Sequence, residues 1–121
     1  MNWTPTIILV VVVMAFLWLK QRSQISSKDA IGYLKAGALV IDVRSAAEFD
    51  AGHLPVAINI PLDRLSEVAP RRLPRKEQVL LLHCQSGMRS SMAKRKLQSL
   101  GYQSVFNLGS YARAAQVTRV R

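Results

Sequence analysis

The sequence predicts an α/β fold: a parallel sheet flanked by helices, preceded by one transmembrane helix. Short apolar runs alternate with segments that have helical spacing or helix caps, which is typical of parallel strands joined by helices. At 121 residues the chain has room for one such domain. A longer apolar stretch opens the chain and predicts the preceding helix. The runs that we interpret as strands are residues 38–43, 56–60, 78–82 and 104–108.

The first 20 residues have the features of a membrane anchor. No charged side chain occurs before Lys20, and residues 7–19 are apolar without interruption. Thr4 can cap a helix whose first position is Pro5, and tryptophans near both ends are typical of membrane interfaces. We therefore expect residues 1–20 to span the membrane. The alternative, a cleavable signal peptide, would need a basic start and a small-residue cleavage site.

Positive charges flank only the C-terminal side of this stretch, at Lys20, Arg22, Lys28 and Lys35. Because such charges stay in the cytoplasm, we expect a single-pass membrane protein whose C-terminal domain is cytoplasmic. A single free cysteine agrees with a reducing compartment. The predicted division of the chain is an anchor (1–20), a linker (21–26), a domain (27–117) and a tail (118–121).

The domain is predicted to begin in the order helix, strand, helix. Ser26 or Ser27 caps the first helix, and Gly37 ends it. Residues 38–43 form the near-continuous apolar run expected of a strand covered on both faces. Residues 45–48 (SAAE) have the spacing of a capping box and open a short helix.

The second half of the domain continues this alternation. After the second strand, residues 62–68 predict a helical turn followed by a basic loop. After the third strand, apolar residues at helical spacing predict a helix over residues 92–100. The fourth strand is followed by a short helix at residues 111–117.

The chain is strongly basic, with 17 lysines and arginines against 7 acidic residues. This excess attracts anionic substrates, acidic partners or anionic membrane lipids. The basic residues are dispersed, without a recognition helix or an aromatic platform, so no nucleic-acid partner is expected. One cysteine excludes an internal disulfide and disfavours a cysteine-based metal site.

The stretch HCQSGMRS, residues 83–90, carries the most informative chemistry. It places Cys84 at a turn between a strand and a helix, where Gly87 allows successive N–H groups to form an anion-binding nest. The helix terminus and Arg89 both favour a thiolate, so we interpret Cys84 as a nucleophile. Without this context a lone cysteine is more often a small buried hydrophobe. His83 should face away from the thiol, because neighbours on a strand point to opposite faces.

Several segments occur in an order that carries a family resemblance. They are IDVR and EF (41–44, 48–49), GHLP through AINIP (52–61), CQSGMR (84–89) and LGY through VFNL (100–108). Together they resemble a single rhodanese domain of the sulfurtransferase family. The resemblance covers about residues 25–108.

The resemblance implies a persulfide relay. The Cys84 thiolate would attack the outer sulfur of an anionic donor, thiosulfate or a persulfide, and hold it until a thiol acceptor takes it. A protein is among the candidate acceptors. Backbone N–H groups of the loop would stabilise the persulfide, and Arg89 would attract the donor, with no metal or organic cofactor. The implied anion-binding loop comprises Gln85, Ser86, Gly87, Met88 and Arg89.

Three charged residues outside the loop are implied to support the site. By resemblance, Asp42, Arg44 and Glu48 form ionic contacts beneath or beside it, a structural role because buried charges usually occur in pairs. Loop length separates the chain from cysteine phosphatases of similar fold, which need Cys-x5-Arg. Here Arg89 follows after four residues and Ser90 takes the sixth position, so a phosphatase is disfavoured.

Two departures from the family pattern concern the mouth of the site. Val56 stands where the family commonly has glycine, and residues 109–112 read GSYA where a Gly-Gly pair and a tryptophan are common. An alternative hypothesis is a membrane-anchored, non-catalytic module whose basic nest binds an anionic or persulfidated partner. The intact Cys84 and Arg89 favour the enzyme.

Overall fold

The computed structural model describes residues 2–22 and 24–119, with side chains at all of these positions except 20–22. The helices are α1 (Thr4–Arg22), α2 (Ser27–Lys35), α3 (Ala46–Ala51), α4 (Leu65–Arg72), α5 (Met88–Ser99) and α6 (Tyr111–Arg119), and Leu62–Arg64 is a short 3₁₀ helix. The strands are β1 (Leu39–Asp42), β2 (Ala57–Asn59), β3 (Leu80–His83) and β4 (Val105–Gly109).

The strands form one parallel sheet in the order β2-β1-β3-β4, which confirms the predicted α/β fold. Asp42 at the end of β1 pairs in register with His83 at the end of β3. The carboxyl ends of the two central strands therefore lie side by side. Residues that follow these strands share the edge of the sheet where sites of α/β folds gather.

Both faces of the sheet are covered, which explains the near-continuous apolar strands. Ile41 and Leu82 pack into a cluster that includes residues of α4 and α5. Val40 and Leu81 pack into a second cluster that includes residues of α2 and α6. The alternation follows from the period of two along a strand.

Three helices extend beyond their predicted ends. α5 begins at Met88, directly after Gly87. The sequence did not predict this start, because the first turn is mostly polar and shows no apolar periodicity. α4 continues to Arg72, into the stretch predicted as a basic loop. α6 runs past residue 117 to Arg119, with Val117 buried. Residues 120 and 121 of the predicted tail lie outside the described residues.

The N-terminal segment forms helix α1, and its large apolar side chains over residues 7–19 are exposed. Within the described residues, however, none of the helices combines the length and apolar character that a bilayer crossing needs. The run of residues 7–19 extends about 20 Å at 1.5 Å per residue, against about 30 Å for a bilayer core. The predicted membrane-spanning helix at residues 1–20 is therefore not supported.

The end of the predicted linker contacts the sheet edge. Gln24 forms an isolated parallel bridge with Asn107 of β4. The Ile25 N–H donates to the Asn107 carbonyl at 3.0 Å, and the Arg113 guanidinium donates to the Ile25 carbonyl. These bonds hold the chain from α1 against β4, where the Gln24 side chain lies next to Gly87 and Gly109.

Candidate active site around Cys84

Cys84 directly follows β3 at the carboxyl edge of the sheet, and its side chain is fully buried. The loop then turns at Gly87, whose left-handed φ of +96° is the N-cap conformation of α5. A Cβ at Gly87 would lie only 3.3 Å from the Gly109 Cα, so position and conformation both favour glycine. The turn aims the start of α5 at the sulfur.

Several donors converge on the Cys84 sulfur. The Gly87 N–H donates to Sγ at 3.0 Å, and the Ser90 hydroxyl lies 3.6 Å from Sγ. Burial alone would raise the pKa of the thiol. Hydrogen bonds from the Ser90 hydroxyl and from the backbone N–H groups of Ser90, Gly87 and Ser86 outweigh burial, so the pKa of Cys84 lies below its usual value. The loop therefore favours the thiolate.

Ser90 and Asn107 form a buried network behind the loop. The Ser90 hydroxyl lies 2.7 Å from Asn107 Oδ1 and 3.1 Å from the Gly87 carbonyl, so its one hydrogen is shared among these acceptors and Sγ. The Asn107 side-chain amide donates to the Gly87 carbonyl at 3.2 Å, and Oδ1 accepts from the Gly109 N–H at 2.8 Å. Asn107 therefore ties the loop, α5 and β4 together.

Sequence reasoning missed both of these residues as parts of the site. In the sequence, the position of Ser90 indicates only that the loop differs from that of a phosphatase. The available signal for Asn107 was a polar side chain inside an apolar strand, which needs a hydrogen-bonding partner when it is buried.

The positive charge of Arg89 is paired with Glu48 and is not free to face the sulfur. Its guanidinium forms two hydrogen bonds with Glu48, at 2.7 and 3.0 Å. The Arg89 guanidinium and then the Ser45 backbone N–H lower the pKa of Glu48 to about 2. The Ser45 side chain and Glu48 also form the predicted capping box of α3. Glu48 therefore joins α3 to the first turn of α5.

Asp42 and Arg44 form a buried ion pair beside the loop. The Arg44 guanidinium donates to both Asp42 oxygens at 2.8 to 3.0 Å and to the Gly52 carbonyl at 2.8 Å. It also lies 4.7 Å from the centre of the Tyr111 ring. Tyr111 thus stands against Arg44 at the mouth, in the segment that departs from the family pattern.

His83 lies beneath this pair, away from the sulfur. Its Nε2 is 3.8 Å from Asp42 Oδ2, and its Nδ1 is 3.3 Å from the Cys84 carbonyl oxygen. Burial lowers the pKa of His83 below its usual value, with Asp42 acting in the opposite direction. Within the described residues, the imidazole makes no hydrogen bond with Sγ.

Comparison with known proteins decides the family. A model of the rhodanese-like domain matches residues 26–113. The chain belongs to the rhodanese-like family.

Relatives of this rhodanese-like domain include sulfurtransferases. It is 36% identical over 69 residues to the thiosulfate sulfurtransferase PspE of Escherichia coli, covering 57% of this chain and 66% of that protein. Across three bacterial relatives the chain spans 45% to 66% of their lengths.

Solved structures agree with the fold. The human single-domain sulfurtransferase TSTD1 superposes with a TM-score of 0.68 at 30% identity, over 78% of this chain and 96% of that one. A rhodanese from E. coli, solved with anions, gives a TM-score of 0.60 at 32% identity, over 64% of this chain and 91% of that one.

The other predicted loop residues of this rhodanese-like domain contact residues 110–111 or are exposed. The Gln85 carbonyl accepts the Tyr111 N–H at 3.3 Å, and Ser86 forms an isolated bridge with Ser110. Met88 is 61% exposed beside the loop. In the part of the chain that the structure describes, no group of three or more His, Cys, Asp and Glu side chains is arranged to hold a metal ion.

Proposed function

We propose that this domain transfers sulfane sulfur through a persulfide on Cys84. The observation that carries the proposal is the environment of Sγ, which receives the Gly87 N–H at 3.0 Å and lies 3.6 Å from the Ser90 hydroxyl. Such donors stabilise negative charge on sulfur, in the thiolate and in the persulfide. Membership of the rhodanese-like family and the sulfurtransferase relatives add support.

The proposed reaction has two displacements. The Cys84 thiolate attacks the outer sulfur of thiosulfate, the S–S bond of thiosulfate breaks, and sulfite leaves with the electron pair. An acceptor thiolate then attacks the outer sulfur of the Cys84 persulfide and leaves as a new persulfide, which returns the thiolate to Cys84. A small thiol or a protein thiol satisfies this chemistry.

The salt bridge with Glu48 modifies the role expected for Arg89. Because the guanidinium is already paired, we assign attraction of the anionic donor mainly to the loop N–H groups and the net charge of +10. Asp42 and Arg44 hold the strand end that carries the loop. Gln85 lines a cavity together with Arg44 and Tyr111, and we expect the donor to enter there.

The proposal is tested by mixing the protein with thiosulfate in the absence of an acceptor. We expect a burst of one sulfite per chain, followed by steady release only when a thiol is added. Cys84→Ser should give neither phase, while Ser91→Ala, a matched change on the same helix, should give both. A wild-type protein that releases no sulfite with thiosulfate, and none of the expected thiol from a persulfide donor, would contradict the proposal.

A second candidate function is binding without turnover. It is favoured by the complete burial of Cys84 and by the pairing of Arg89 with Glu48. In this case the nest would hold an anionic or persulfidated partner. Cys84→Ser would then retain full function in cells, whereas the enzyme hypothesis requires its loss.

We propose further that α1 attaches the domain to a membrane, with the domain on the cytoplasmic side. The large apolar side chains of α1 are exposed over residues 7–19, and such a surface needs an apolar cover. The full chain should sediment with membranes in high salt, and a variant lacking residues 2–19 should not. A reporter fused after Arg121 should be active only if it is of a type that functions in the cytoplasm. Recovery of the full chain from the soluble fraction would refute attachment.

A further inference from the structure

The segment that follows α1 reaches the cysteine loop through the side chain of Gln24. Gln24 is half-buried and precedes the rhodanese-like match, which begins at residue 26. A Cβ at Gly109 would lie 2.6 Å from Gln24 Nε2, and a Cβ at Gly87 would lie 3.4 Å from the same atom. The two glycines therefore leave a space that the end of the Gln24 side chain fills.

Each of these glycines is hydrogen-bonded to Cys84. The Gly87 N–H donates to Sγ at 3.0 Å, and the Gly109 carbonyl accepts the Cys84 N–H at 3.2 Å. Both glycines have a left-handed φ of +96°, and neither has a side chain that could fix this conformation by packing. Gln24 therefore supplies the packing for both backbone positions that bind the nucleophile.

The backbone of Gln24 is itself held beside this pair of glycines. It forms the isolated bridge with Asn107, and the next N–H, that of Ile25, donates to the Asn107 carbonyl at 3.0 Å. The Asn107 side chain binds the Gly87 carbonyl at 3.2 Å and the Gly109 N–H at 2.8 Å. Gln24 thus packs against the same two glycines that Asn107 holds by hydrogen bonds.

We propose that Gln24 is a positioning residue of the site, whose side chain holds Gly87 and Gly109 in the conformation that Cys84 needs. Gln24 acts through the two glycines and needs no contact with the reacting sulfur. The geometry of the cysteine loop then depends on the segment that joins α1 to the domain. The importance of this contact for sulfur transfer rests on the proposed function.

Alkylation of Cys84 in the full chain tests this role without a sulfur donor, so the result does not depend on whether a persulfide forms. The rate with iodoacetamide is measured against pH for wild type and Gln24→Ala. Without the contact the Gly87 backbone is less constrained, its N–H bond to the thiolate weakens, and the pKa of Cys84 rises. We expect the rate at low pH to fall about threefold, because the bond is weakened and not lost, with an unchanged plateau at high pH. An unchanged profile would overturn the proposal.

Two control variants separate positioning from a general structural effect. Gln98→Ala removes an exposed glutamine in the last turn of α5 and should follow wild type. Gln24→Met keeps an unbranched side chain of similar length and should restore the wild-type profile, since the contact is one of packing. Destabilisation alone would raise the rate, because transient unfolding exposes the buried sulfur. Equal shifts for the two alanine variants, or no rescue by methionine, would overturn the assignment.

A double-mutant cycle tests the contact between Gln24 and Gly109. The Cβ of Gly109→Ala would displace the end of the Gln24 side chain. Adding Gln24→Ala to that variant should therefore leave the low-pH alkylation rate unchanged. A further fall of about threefold would show that the two residues act independently and would refute the contact. If the strain of alanine at this φ prevents folding, the single variants of Gln24 decide the question.

The burst of sulfite release then tests the consequence for transfer. For Gln24→Ala at low pH, we expect the burst to slow by the same factor as alkylation, with its amplitude still one sulfite per chain. An altered alkylation profile with an unchanged burst rate would refute a role of Gln24 in transfer.

Discussion

Replacing Ser90 with alanine should lower the thiolate fraction of Cys84. The Ser90 hydroxyl lies 3.6 Å from Sγ, but it shares its hydrogen with Asn107 Oδ1 at 2.7 Å. A hydrogen bond to a charged group contributes about 1.5–3 kcal/mol. A long, shared bond falls at the lower end of this range, about 1.5 kcal/mol, which is a factor of about ten. The pKa of Cys84 should rise, and below that pKa the thiolate fraction should fall about tenfold.

The assay is the rate of alkylation by iodoacetamide as a function of pH. Because the chain has one cysteine, the whole signal reports Cys84. We expect Ser90→Ala to react more slowly than wild type at low pH and equally fast on the high-pH plateau. Ser91→Ala is the matched control and should follow wild type. Coincident profiles for Ser90→Ala and wild type would refute the assignment of the hydroxyl to the sulfur.

Three further predictions concern the residues around the loop. Glu48→Gln frees Arg89 and should lower the KM for thiosulfate about threefold at low salt, an effect that 1 M NaCl should remove. The KM is measured from steady-state sulfite release, and an unchanged KM would contradict this prediction. Asn107→Ala removes the acceptor that competes with Sγ for the Ser90 hydrogen. It should destabilise the fold by about 2–4 kcal/mol in urea unfolding and shift the alkylation profile in the direction opposite to that expected for Ser90→Ala. Burial lowers the pKa of His83 in the folded chain below its value in the unfolded chain. As the pH falls below about 6.5, the unfolded chain therefore binds a proton at His83 before the folded chain does, and the free energy of unfolding should fall. Urea midpoints at pH 7 and 5 measure this, and His83→Gln should reduce the difference; an unchanged difference would exclude His83 as its source.

Local signals explain why much of the fold was predictable. The strands are recognisable in the sequence as apolar runs because helices bury both of their faces. The capping box of Ser45 and Glu48 is a contact between residues three apart, so its spacing is visible in the sequence. The position of Cys84 at the end of β3 follows from the same apolar run.

The contacts that complete the site join residues far apart in the chain. Glu48 pairs with Arg89, 41 positions later, and Ser90 bonds Asn107, 17 positions later. Neither pairing is set by helical or strand spacing, so each depends on the tertiary arrangement. The family resemblance placed Glu48 near the site without identifying its partner. The roles of the loop residues and the cytoplasmic placement of the domain stay predictions.

The predicted anchor is the clearest difference between sequence and structure. The uncharged stretch indicated a transmembrane helix, but a helix that crosses a bilayer needs both an apolar composition and a sufficient length. Helix α1 fulfils the first through its exposed apolar residues, whereas no helix in the described part of the chain fulfils both.

The most direct test of the central claim is the intact mass of the protein after brief exposure to thiosulfate, with Cys84→Ser treated in parallel. The account predicts a gain of one sulfur atom per chain, reversed by a reductant and absent from the variant. The same gain on Cys84→Ser, or no gain with thiosulfate, glutathione persulfide or a protein persulfide, would contradict a Cys84 persulfide.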